Sequence, residues 1–129
     1  MTALVVGVGL SSRADAAEIG ALVDRVLAAA GARSGDVRVL ATLADRATAP
    51  ALVEVAAARG WEIVGHAAGE LADVAVPHPS EAVRARTGTP SVAEAAALRT
   101  ARTLGRAVLL VARTTTPHAT AALAGAAPR

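Results

Sequence analysis

Cysteine, lysine, asparagine, glutamine, phenylalanine and tyrosine are absent from the 129 residues, and tryptophan and methionine occur once each. Without cysteine there is no thiol nucleophile, no disulfide and no cysteine-based zinc or iron–sulfur site. Without lysine or tyrosine, Schiff-base chemistry and a phenolic base are excluded. Trp61 is the sole aromatic residue, so the stacking platforms of single-strand and RNA-recognition modules cannot be built. Long hydrophobic runs are missing too. The best continuous one, Ala107 to Ala112, falls far short of the roughly 20 residues that a membrane-spanning helix needs. The first charge is Arg13, so the N-terminus lacks the leading cation of a secretory signal. A cytoplasmic protein with neither membrane nor nucleic acid as partner is expected.

What remains is rich in small apolar side chains. Alanine supplies 36 residues and larger apolar side chains 33, so the core must bring helices in close. A chain of this length makes a single domain, 1–129, and buries roughly two-thirds of the surface it exposes when unfolded. The pI near 10.9 suggests a basic patch, yet 13 arginines against 11 acidic residues leave a net charge of only +2. The high value reflects the missing lysine, tyrosine and cysteine, since little titrates between the amino terminus and arginine.

Leu4 to Val8 is a short β-branched run ended by glycines, fitting a strand buried on both faces. Ile19, Leu22, Val23, Val26, Leu27 and Ala30 then recur at helical spacing, and Gly31 follows as a stop. Val37 to Thr42 reads as a second strand. Pro50 suits the first position of a helix carrying Leu52, Val53 and Ala56, and Gly60 closes it. Trp61 to His66 reads as a third strand, with a helical turn near Glu70 and Leu71. Pro77 and Pro79 make 74–80 a stiff loop, and Ser80 caps a short helix over 82–86. Gly88-Thr89-Pro90 breaks the chain again. Ser91 with Glu94 forms a capping-box pattern ahead of a helix to about Leu104, ended by Gly105. Ala107 to Ala112 and Ala119 to Ala124 supply two more strands. This alternation predicts an α/β fold, a three-layer α/β/α domain with a mixed, partly parallel sheet of about five strands.

In such sheets ligands sit at the carboxyl ends of the strands, so the loops beginning at Gly7, Thr42, His66 and Arg113 are the first candidates. Gly7-Val8-Gly9-Leu10-Ser11-Ser12 supplies two glycines of a dinucleotide fingerprint, with Ser12 in the third place and Asp45 a loose match for the ribose partner. The competing reading is a tight turn in which glycine permits close packing. Ser11, Ser12 and Arg13 precede a helix N-terminus, where free N–H groups favour an anion. Gly88-Thr89-Pro90-Ser91 offers a second such terminus, although capping alone also accounts for Thr89 and Ser91. Arg84, Arg86 and Arg113 are candidates for a carboxylate-binding rim. His66, His78 and His118 lack metal-ligand spacing, so neither a metal nor a cofactor is expected. His78, between two prolines, is a candidate acid or base.

Gly7-Val8-Gly9, Val76-Pro77-His78-Pro79-Ser80-Glu81-Ala82-Val83 and Gly88-Thr89-Pro90-Ser91-Val92-Ala93-Glu94-Ala95-Ala96 together resemble the CobE and CbiG C-terminal domain family of cobalamin biosynthesis, across essentially the whole chain. The resemblance is to the free-standing CobE form, since the chain is too short for the extra N-terminal region of CbiG, a cobalt-precorrin-5A hydrolase that opens a lactone. Members usually carry a cysteine after the first glycines, where this chain has Leu10-Ser11-Ser12-Arg13. They also carry an asparagine between the two prolines, here His78, and a lysine near the end of the late strand, in the neighbourhood of Arg113.

The resemblance implies a corrinoid or precorrin ligand edged with acetate and propionate arms. Gly7, Gly9, Ser11, Ser12, Arg13, Thr42, Pro77, His78, Pro79, Ser80, Gly88, Thr89, Pro90, Ser91 and Arg113 would bind this ligand, helix N-termini and arginines holding the arms while aliphatic side chains and Pro77 or Pro79 cover the ring. The favoured role is a carrier or accessory protein, working with other cobalamin-pathway enzymes. The alternatives are a lactone-opening hydrolase with Glu94, Glu81 or His78 as general base, and a nucleotide-binding module using the Gly7 loop. An alanine-rich helix face would suit a homodimer.

Overall fold

In a computed structural model, residues 3–74 and 92–126 are described. The expectations for the 75–91 segment, including the proline loop with His78, the helix over 82–86 and the Gly88 break, lie outside the described residues. Five strands form one sheet in the order β3-β2-β1-β5-β4, with β1 over Leu4–Leu10, β2 over Val37–Leu43, β3 over Glu62–His66, β4 over Ala107–Thr115 and β5 over Ala119–Ala126. β1, β2 and β3 run parallel, whereas β5 inserts antiparallel beside β1 and makes a hairpin with β4. The sheet is mixed, as the sequence pattern predicts.

Helices α1 (Ala16–Ala29) and α2 (Pro50–Arg59) cover one face. Asp15 caps α1, its carboxylate accepting the Glu18 N–H at 2.8 Å, and Ile19, Leu22, Val23, Val26 and Leu27 form the buried stripe. Pro50 is the first residue of α2, and Gly60 ends that helix at φ 73°, the left-handed conformation that glycine adopts without a Cβ penalty. Against these helices lie Leu4, Val6, Val8 and Leu40 from the sheet, with Leu52 and Trp61. The Trp61 indole N–H donates to the Ser34 carbonyl at 2.9 Å, so its polar edge is satisfied.

The opposite face is built from smaller side chains. The short α3 (Ala68–Ala72) and α4 (Val92–Arg102) pack there against Val5, Val39, Ala41 and Leu43, with Ala95, Ala96, Ala97, Leu98 and Ala101 of α4 buried. Strand alternation sends Val6 and Val8 towards α1, and Gly7 and Gly9 towards α4. A Cβ on Gly7 would lie 1.9 Å from the Ala93 carbonyl oxygen and 2.9 Å from the Ala97 Cβ.

Two expectations from the sequence are corrected here. β1 does not end at Val8 but continues to Leu10, so Gly7 and Gly9 belong to the strand and serve helix–strand contact, rather than forming a turn. β4 continues past Ala112 to Thr115, so Arg113 lies within a strand and opens no loop. Ladder pairing with β5 holds Gly7 and Gly9, and Thr114 and Thr115 beyond Arg113, where local propensity assigns turns, while Arg113 itself sits at the register shift between Val111 and Thr114.

Candidate functional site

Three parallel strands end at one rim of the sheet, and the β4–β5 turn reaches the same rim because β5 is antiparallel. The chain leaves β1 and β2 for α1 and α2 on one face and leaves β3 for α3 on the other, and ligands of open α/β sheets sit at this carboxyl edge. A cleft of about 660 Å³ lies there. Its wall takes Gly9, Leu10 and Ser11 from the end of β1, Thr42 to Arg46 from β2 and the turn after it, His66 to Ala68 after β3, and Val92 from the start of α4. Arg113 and Thr115 to Thr120 close the other side.

Of the residues that the sequence singles out, Gly9, Ser11, Thr42, Asp45, His66 and Arg113 meet in this cleft. Thr42 is fully buried, and its hydroxyl donates to the Val8 carbonyl at 2.7 Å, tying β2 to β1 below the floor. Gly7 lies deeper, under α4, and leaves no room for a pyrophosphate. Ser12 and Arg13 are exposed and do not line the cleft. The N-terminus of α1 already holds the Asp15 cap and Glu18, and two carboxylates in one first turn oppose an anion there. Glu94, a candidate base, is fully buried in α4 and accepts the Arg113 backbone N–H at 2.9 Å, away from the cleft. Pro77, His78, Pro79, Ser80, Glu81, Arg84, Arg86, Gly88, Thr89, Pro90 and Ser91 lie outside the described residues.

The cleft also gathers Arg46 and His118, which local sequence patterns do not mark as site residues. Arg46 follows β2 in a single 3-10 turn, Ala44–Arg46, and faces the same space as Arg113. Neither guanidinium has an ion-pair partner among the described residues. His66 is 9% exposed, and its Nε2 lies 2.6 Å from the Thr100 hydroxyl. Burial pushes its pKa down, the nearby Glu70 carboxylate opposes that, and Arg99 adds to it.

His118 sits in the β4–β5 turn with its ring against the first turn of α1. Its Nδ1 lies 3.0 Å from Glu18 Oε1, and its backbone N–H donates to Glu18 Oε2 at 2.8 Å. The Thr116 hydroxyl donates to the same Oε2 at 2.5 Å. These donors hold the Glu18 carboxyl below its ordinary range, the Thr116 hydroxyl contributing most and the His118 amide next. Each partner is common alone, and only the tertiary pairing of segments 100 residues apart marks them as a unit.

A mixed three-layer α/β domain with a crevice at its carboxyl rim that carries Arg46, Arg113 and Asp45 is the class that fold and site define. A profile of the family described as cobalamin synthesis G C-terminus matches residues 4–124, and the chain belongs to that family. It is 44% identical over 87 residues, 66% of the chain, to protein CobE of a Sinorhizobium species, covering 56% of that protein. With the cobalt-precorrin-5A hydrolase of Priestia megaterium it shares 33% identity over 85 residues, again 66% of this chain but 23% of the relative. The chain thus spans about half or less of the curated relatives it matches.

Among solved structures, that of CobE, a protein from the cobalamin (vitamin B12) biosynthetic pathway, superposes with a TM-score of 0.92 at 31% identity, covering 98% of this chain and 96% of the other. The cobalamin biosynthesis protein chiG from Agrobacterium tumefaciens str. C58 gives 0.72 at 29% identity, with 97% and 99% coverage. The chain is a cobalamin biosynthesis protein of the CobE/CbiG type. Among the described residues no helix is long and apolar enough to cross a membrane.

Proposed function

We propose that the rim cleft binds a corrinoid or precorrin intermediate and that the protein acts as a carrier or accessory factor, handing its ligand to other enzymes of the pathway. The observation that carries this reading is a pair of guanidinium groups, Arg46 and Arg113, with no ion-pair partner among the described residues, on one apolar-floored crevice of about 660 Å³. A ring edged with carboxylate arms needs separated cations at its perimeter and aliphatic surface under its face. Leu10, Leu43, Ala67, Ala68 and Val92 supply the latter. A crevice of this size suits one edge or face of such a ring. Guanidinium forks match carboxylates in geometry and stay charged at any working pH.

The test is a titration with cobyrinic acid followed by visible absorption. Arg46→Ala and Arg113→Ala each weaken binding about tenfold, the loss expected for a charge-assisted contact of about 1.5 kcal/mol. Arg102→Ala, on the exposed end of α4, leaves it unchanged. Equal affinity in all three variants overturns the assignment of this cleft.

A further inference from the structure

The Glu18, Thr116 and His118 constellation does more than pin a turn to a helix. Glu18 is ionised and only accepts, and it faces His118 Nδ1 at 3.0 Å, so in the neutral ring the proton resides on Nδ1 and the lone pair on Nε2. Nε2 has no protein partner among the described residues. The ring is half-buried, with its side chain 38% exposed, and it lines the rim cleft. A histidine that donates one ring N–H to a carboxylate, itself held by further hydrogen bonds, while its other nitrogen stands free is the arrangement by which proteins orient an imidazole towards a metal. The carboxylate fixes the tautomer and the orientation of the ring.

No three His, Asp or Glu side chains gather as a metal cage among the described residues. A metal already held in the plane of a tetrapyrrole needs no cage, because the ring supplies the equatorial nitrogens and the protein need offer one axial donor. Imidazole is a suitable donor for a first-row transition metal. We infer that His118 Nε2 is an axial ligand for the cobalt of a cobalt-bearing corrinoid seated in the rim cleft, with Glu18 and Thr116 as positioning residues. The inference rests on the corrinoid reading of the same cleft and adds the metallated state of the ligand. The step is simple ligation: Nε2 donates its lone pair to cobalt, a water leaves that axial position, and no electron is transferred.

The probe is cobyrinic acid reduced to Co(II) and bound to the full chain, read by electron paramagnetic resonance. An axial nitrogen splits each cobalt hyperfine line into a triplet. The wild type is expected to give triplets. His118→Ala is expected to give single lines, with triplets restored by added imidazole. Glu18→Gln and Thr116→Val are expected to keep the ligand but weaken binding of the cobalt ring by about tenfold. Affinity for the cobalt-free ring, hydrogenobyrinic acid, is measured beside it, and His118→Ala should weaken the cobalt ring more than the cobalt-free one, because only the former loses a ligand bond as well as a wall contact. Single lines in the wild type, or triplets that persist in His118→Ala without imidazole, overturn the ligation while tight binding of either ring leaves the corrinoid reading standing. If the wild type binds neither ring, both fall.

Discussion

The two faces of the sheet solve the same burial problem by opposite means. Towards α1 and α2 the core is made of branched aliphatic side chains and Trp61, and its geometry is set by how those bulky groups interdigitate. Towards α4 the strand contributes Gly7 and Gly9, and the helix contributes mostly alanine, so backbone meets backbone with little between. The first face loses stability when atoms are removed, and the second when atoms are added. The α4 face also carries buried polar groups, His66 with Thr100 and Glu94 on the Arg113 amide. Titration of His66 therefore reaches this face, whereas Trp61 stands as a fluorescent reporter on the apolar side.

The sharpest way to break this contrast is to add one methyl group. Gly7→Ala sets a carbon 1.9 Å from a backbone oxygen, which α4 cannot relieve by a rotamer change. The expected loss, on the order of 4 kcal/mol, exceeds the usual overpacking cost of about 1–3 kcal/mol. It is read from the urea midpoint by far-UV ellipticity, and a loss below about 1 kcal/mol would mean that α4 is not held where the close approach requires. On the other face, Leu22→Ala removes atoms from a fully buried site and should cost about 3 kcal/mol, with Trp61 fluorescence and ellipticity changing together if the domain unfolds as a unit.

The smallest effect concerns pH. Because burial lowers the His66 pKa from 6.5, the unfolded chain takes up that proton first. The stability this provides is complete above pH 6.5 and is lost as pH falls towards the lower folded value. His66→Gln should flatten that limb. Glu18 and Glu70, whose pKa values are also lowered, act further down, their contribution being complete above 4.5 and lost as pH falls through their folded values. An unchanged slope between 6.5 and 4.5 in His66→Gln would remove His66 as the cause.

The order of strands and helices was readable because each element carries its own periodicity and stop, as in α1 with Gly31 and α2 between Pro50 and Gly60. The role of Gly7 was harder to read, since the need for a missing Cβ comes from Ala93, remote in sequence, and local pattern assigns paired glycines to a turn. Thr42 and Arg113 could be placed near the site by the rule that ligands sit at strand ends, although β2 runs on to Leu43 and β4 to Thr115. Glu18 and His118 could not, because neither residue has a local signature and their meeting depends on which edge of β1 the last hairpin takes.

That hairpin has a consequence for synthesis. β1 emerges early, yet one of its edges gains its partner only when β5, more than a hundred residues later in the chain, folds back beside it. Until then Leu4 to Leu10 offers an open backbone edge to any passing strand. Nascent chains should depend on chaperones over that interval, and the crevice cannot exist before the last strand has docked.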